Sequence, residues 1–125
     1  MKEKRNFCVE KPVGEVYTYL KTMHSYKDVF GGRLKVTNQE GTESLASIPG
    51  IGETRIIIKE RIINKKVVLS SSGLGITITG SLEELGPNRT RVNLEGESTK
   101  FSINLLLGPF FKQAMEMIQE HVKNI

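Results

Sequence analysis

The chain has one cysteine, Cys8, among its 125 residues. An intramolecular disulfide framework is therefore excluded. Its two histidines, His24 and His121, lie far from each other and from Cys8. That is not metal-ligand spacing, so no metal site is expected. No run of about 18 apolar residues occurs, so no transmembrane segment is expected. Residues 1–11 are polar and charged and lack the apolar region of a signal peptide. A cytoplasmic location is the default expectation. Aromatic residues are 6% of the chain, and no basic cluster interleaves with them as stacking readers require. Nucleic acid is not an expected partner. Asp occurs once, at Asp28, so Lys and Glu carry most of the charge. That bias resembles a thermophile's, although Asn is not depleted.

What is present reads as one globular domain spanning residues 1–125, long enough to bury a core without staples. The net charge is +4 and unevenly spread. Residues 1–66 hold 13 Lys and Arg against 8 Asp and Glu, and the remainder holds 5 against 6. The excess weakly favours acidic ligands or anionic surfaces.

Lys2 to Lys11 alternates loosely, placing Phe7 and Val9 on one face of a first strand. Pro12 fits a helix start, and Val13, Val16, Tyr17 and Leu20 follow at i, i+3, i+4 and i+7. His24 to Asp28 reads as irregular, and Val29 to Gly32 as a short helical turn ended by glycines. From Arg33 to about Thr99, polar turns break the chain every eight to twelve residues, as an antiparallel meander requires. The strands are Leu34–Val36, Glu43–Ile48, Thr54–Asn64, Val67–Ser72, Ile76–Glu84 and Thr90–Thr99. Gly50-Ile51-Gly52 and Gly73-Leu74-Gly75 lie between strands, so they punctuate turns and do not bind nucleotide. No cofactor is expected. Ile48 and Ile51 at one hairpin tip form either a contact site or a packed turn. Asn88-Arg89-Thr90 matches a glycosylation sequon that a cytoplasmic chain does not use. Cys8 reads as a buried small hydrophobe.

Ile103 to Ile125 reads as one long helix. Ile103, Leu106, Leu107, Phe110, Ala114, Met117, Ile118, His121 and Ile125 share one side, and Phe111, Met115 and Val122 widen it by roughly 60°. An apolar arc this broad exceeds a single packing contact, so the helix is expected to touch a sheet and something else. Pro109 either kinks the helix or marks its start.

The order is strand, short helices, about six strands, long helix. Together with Phe7-Cys8-Val9-Glu10-Lys11-Pro12-Val13-Gly14-Glu15-Val16-Tyr17, where a strand runs into a proline-led helix, it resembles the helix-grip superfamily. That group includes START domains, the birch-pollen-allergen family and polyketide cyclase/dehydratase-like proteins. The resemblance implies an α+β fold, with a curved antiparallel sheet of about seven strands wrapped round the C-terminal helix. It also implies a pocket between helix and sheet for a lipid-like or polycyclic, apolar or amphipathic molecule. Most members are carriers or sensors and a minority are enzymes, with no catalytic residues that carry over to this chain.

On that reading the lining comes from Phe7, Ile56, Ile58, Ile62, Leu69, Ile76, Ile78, Leu94, Phe110, Ala114, Met117 and Ile118. Glu60 and His121 are the polar candidates. Strict alternation in Thr54–Asn64 puts Glu60 on the inward face. There a carboxylate either pairs with another group or titrates upward, as a polar anchor or general acid, unless a strand end, bulge or cavity rim takes it to solvent. His121 either orients a ligand or is a satisfied residue of the last helical turn. Two rivals share these residues. One is a small cyclase, dehydratase or hydrolase using Glu60 or His121. The other is a protein-interaction or homodimerisation module using the wide helix arc and the Ile48/Ile51 tip.

Overall fold

A computed structural model of the chain describes residues 2–29, 33–48, 52–71, 73–99 and 101–125, with side chains at all of these except 101–107 and 110. Strand β1 (Lys2–Val9) leads into helix α1 (Val13–Leu20) and a 3-10 turn (Met23–Tyr26). Then come β2 (Leu34–Val36), β3 (Glu43–Ile48), β4 (Gly52–Ile62), β5 (Lys66–Ser71), β6 (Ile76–Gly86) and β7 (Arg89–Ser98). Helix α2 (Phe101–Lys123) closes the chain. The seven strands form one sheet in the order β1-β7-β6-β5-β4-β3-β2, antiparallel throughout. β2 to β7 form a meander, and β1 adds to its β7 edge. This is an α+β architecture.

One face of the sheet is apolar and carries the helices. Along β7, Thr90, Val92, Leu94 and Ser98 are buried while Arg89, Asn93, Glu95 and Glu97 are exposed. That is the period of two expected when one face is covered. The open face carries cross-strand pairs, including Lys4 with Glu95 at 3.4 Å and Arg91 with Glu83 at 3.4 Å. Such exposed pairs specify partners more than they stabilise. Cys8 is also on that face, half-buried between Phe7 and Val9, which point into the core. It is not the buried hydrophobe expected.

α1 buries Val13, Val16, Tyr17 and Leu20. The segment read as irregular is the 3-10 turn, and its logic is a spacing of three. Met23, Tyr26 and Val29 all enter the core, as three residues per turn dictates. Phe30 to Gly32, the rest of the expected glycine-ended turn, lie outside the described residues. The Tyr26 hydroxyl donates to the Leu20 carbonyl, and the Tyr19 hydroxyl donates to the Ser25 carbonyl at 3.1 Å. A carbonyl left over at the end of α1 is thereby satisfied.

Burial, and secondarily Tyr19, push the Tyr26 phenol far above its ordinary value of 10.0. Burial and then Asp28 push Tyr19 the same way. Both protons are held more tightly folded than unfolded. Their contribution is complete below pH about 10 and is lost as pH rises further. Denaturant midpoints should therefore fall above that pH. Tyr26→Phe should flatten the fall while costing about 1 kcal/mol at neutral pH. An unchanged alkaline slope in that variant would remove Tyr26 as the cause.

Pro109 lies inside α2, so it does not mark the helix start. Of the described side chains, α2 buries Phe111, Ala114, Met115, Ile118 and Val122. At 100° per residue that face is rotated by roughly 45° from the centre of the widened apolar arc read from sequence. Glycine at 96 selects this face. A Cβ there would stand 2.5 Å from Phe111 Cζ and 3.0 Å from Met115 Sδ. With no side chain at 96, Phe111 and Met115 settle directly on β7.

Candidate functional site

Among the described residues, two small voids lie between the helices and the sheet. The larger, about 30 Å³, is lined by Ile56, Leu69, Ser70, Ser71, Leu74, Ile76, Ile78, Phe111 and Ala114. The smaller, about 10 Å³, is lined by Leu20, Tyr26, Val67, Leu69, Ile78, Gly80, Leu94 and Ile118. Leu69 and Ile78 belong to both, so the voids lie end to end beneath the helices. Small-molecule pockets usually measure about 300–1,000 Å³. A void needs about 10–15 Å³ and several polar partners to hold one water. The walls here are almost wholly apolar, so these are dry defects in a packed core. Tyr26 is the one titratable side chain that lines either void among the described residues, and its proton is committed to Leu20.

Ile56, Ile76 and Ala114 line the larger void, Leu94 and Ile118 the smaller, and Leu69 and Ile78 both. Phe7 and Ile58 are buried elsewhere in the core. The Phe110 side chain and Pro49 to Ile51 lie outside the described residues, while Ile48 at that hairpin is buried.

Four expectations change. Glu60 and Ile62 do not face inward. The β4–β5 register steps from Ile58 opposite Leu69 to Glu60 opposite Val68. Lys59 is the extra residue of a β-bulge, and one extra residue inverts every side chain beyond it. Glu60 emerges on the open face, 3.6 Å from Lys66, and Ile62 is 42% exposed. Met117 and His121 lie on the flank of α2 with Gln113, Glu116 and Glu120, around an open depression. They miss the voids because Phe111 and Met115 fix the rotation of α2. Glu60→Gln should thus change stability by about 0.5 kcal/mol or less. A loss of several kcal/mol in urea unfolding would return Glu60 to the interior.

No family model matches the sequence, and no curated protein matches it. Solved structures do match. A START superfamily protein from Mycobacterium smegmatis superposes with a TM-score of 0.70, covering 98% of this chain and 94% of its own, at 10% identity. Norcoclaurine synthase from Thalictrum flavum gives 0.69, covering 99% and 84%, at 13% identity. The Aha1 dimer from Colwellia psychrerythraea gives 0.65, covering 97% and 93%, at 15% identity. The chain has the helix-grip fold.

In this helix-grip chain the gap between long helix and sheet is nearly filled. Phe111 fills it from the helix side. Leu74, 2% exposed, fills it from the β5–β6 turn. Sequence reasoning put Phe111 in the apolar arc but not in the lining, and passed over Leu74 and Gly96. Their signals were a leucine set between two turn glycines and a glycine inside a strand, which marks close approach of another element. Among the described residues no helix is long and apolar enough to cross a membrane.

Proposed function

We propose that this helix-grip chain binds a small apolar molecule between α2 and the sheet, in a site that the ligand opens as it enters. The pair of dry voids meeting at Leu69 and Ile78 carries this reading. Along this line the core is incompletely filled. A ligand would enlarge the line by displacing Phe111 and Leu74, side chains that can turn without breaking a strand pairing. Opening reduces apparent affinity by the fraction of molecules in the open form. The ligand is apolar because the walls offer burial and almost no hydrogen bonding.

Binding is favoured over acid–base catalysis by what surrounds the voids. Norcoclaurine synthase is an enzyme by name, so the fold admits chemistry. In this chain Glu60 is on the open face and His121 on the helix flank, and neither reaches the line of voids.

Native mass spectrometry of protein purified from its own cells, followed by solvent extraction, tests the reading. An apolar molecule retained at up to one equivalent, rebinding to the stripped protein with negative ΔCp, is the expected result. A clean mass together with no saturable binding of the extracted apolar pool would overturn it.

A further inference from the structure

The most exposed large hydrophobic residue among those described is Ile63, at 74%. Its neighbour Ile62 is 42% exposed. Both belong to the β4–β5 hairpin, at the turn between Ile62 and Lys66. Turn positions normally go to Gly, Asn, Asp or Ser, and a β-branched residue at the apex gains nothing locally. Nor is the segment loosely held. Asn64 takes a left-handed φ of 59°, a conformation asparagine tolerates. The Lys65 amide donates to the Ile62 carbonyl at 2.9 Å, and the Leu82 amide donates to the Lys65 carbonyl at 2.8 Å. The turn is tied to β6, with Ile63 fixed at its apex.

Within residues 59–66 the charge has one dominant sign. Lys59, Arg61, Lys65 and Lys66 flank the isoleucines, with Glu60 as the single acid in residues 59–66. Glu60 is already engaged by Lys66 at 3.6 Å. Among the described residues, Lys59, Arg61 and Lys65 are in no salt bridge. Beyond the bulge at Lys59, Ile62 shares the open face with Glu60 and Lys66, and Arg61, opposite Val67, lies on the other face; Lys59, Arg61 and Ile62 are all exposed at this end of β4.

We propose that the β4–β5 hairpin tip docks on an anionic lipid surface, with Ile62 and Ile63 entering the headgroup–acyl boundary and Lys59, Arg61 and Lys65 meeting the lipid phosphates. Cations near an anionic leaflet and apolar side chains at the headgroup–acyl boundary add to one another, so the two together bind more tightly than either alone. Nucleic acid would use the cations and leave the isoleucines in water, and the tip offers no aromatic ring for stacking. The larger void is lined from the β5–β6 turn, at the opposite end of β5 from this tip, while the smaller void reaches Val67 beside it.

Flotation of the full chain with vesicles tests this. One set is phosphatidylcholine alone, and the other contains about 30% phosphatidylserine. Binding to the anionic vesicles only, weakened by salt, is expected. Ile62→Ser with Ile63→Ser should weaken it on the order of tenfold. Each of Lys59→Gln and Lys65→Gln should weaken it about fivefold, and Lys35→Gln on β2 should leave it unchanged. The substituted residues are exposed, and an unchanged urea midpoint confirms intact folding. Three results would overturn the proposal. One is absence of binding to anionic vesicles. Another is binding that ignores the isoleucine changes and is matched by a duplex oligonucleotide. The third is a dimer in light scattering that the isoleucine changes dissociate, which would make the tip a self-association surface.

Discussion

Gly96→Val should destabilise the protein by about 3 kcal/mol, at the upper end of the usual cost of overpacking. Its inward Cβ would lie 2.5 Å from Phe111 Cζ, a separation that real atoms do not adopt. The void that Phe111 borders is only about 30 Å³, so relief comes from turning the ring out of its rotamer or from lifting α2. A domain stable by about 5–15 kcal/mol loses a large share of its margin to such a change. Gly96→Ala should show the same sign at smaller size. Gly86→Ala is the control, because a Cβ at 86 meets nothing within 4 Å. Replacing that glycine should be neutral or mildly stabilising through the unfolded chain. Urea unfolding of the three variants measures the contrast. Phe111→Leu should recover part of the Gly96→Ala loss, as expected for residues in contact. If Gly96→Ala proves as stable as Gly86→Ala, then α2 does not rest on β7 as described.

Phe111→Ala should cost about 3–5 kcal/mol and gain a ligand. Phe111 is 1% exposed and forms one wall of the 30 Å³ void. Truncating it joins the volume of a ring to an existing apolar space. A dry cavity of that kind accepts small aromatic molecules. Toluene at 100 times its Kd would restore about 2.7 kcal/mol, visible as a rise in Tm that wild type shows weakly or not at all. Phe111→Leu makes a smaller cavity, and keeps the experiment readable if the alanine variant does not fold. A variant that folds but gains no stability from toluene has collapsed onto the space. The line of voids would then not be a site that opens.

Much of the architecture was legible before folding. Each strand pattern was read within a few residues of its observed limits, because turns at regular spacing and one buried face leave a period of two in the chain. Helix α1 was legible because Val13, Val16, Tyr17 and Leu20 point one way under a single period. The 3-10 turn was not, because three residues at a spacing of three, Met23, Tyr26 and Val29, are sparse among polar neighbours.

The site was less legible, and each miss has a tertiary cause. Alternation predicts Glu60 inward until one residue is added, and nothing in the composition of Lys59-Glu60-Arg61 announces the bulge. The strand bends away there, and a salt bridge with Lys66 replaces a buried carboxylate. The width of the α2 arc was clear, but not which part of it meets the sheet. A broad apolar arc can be buried at several rotations of similar hydrophobic gain. The choice falls to one close contact between residues 15 positions apart in sequence, Gly96 and Phe111.

By itself, then, the sequence determined the element order, the antiparallel meander and the presence of one long apolar helix, since these follow from local periodicity and turn chemistry. Only the tertiary structure decided which side of that helix faces inward, which end of β4 turns out to solvent, and how little space is left between them. Those outcomes depend on steric contacts between distant residues, where differences of a few tenths of an ångström select among packings that hydrophobicity alone leaves nearly equal.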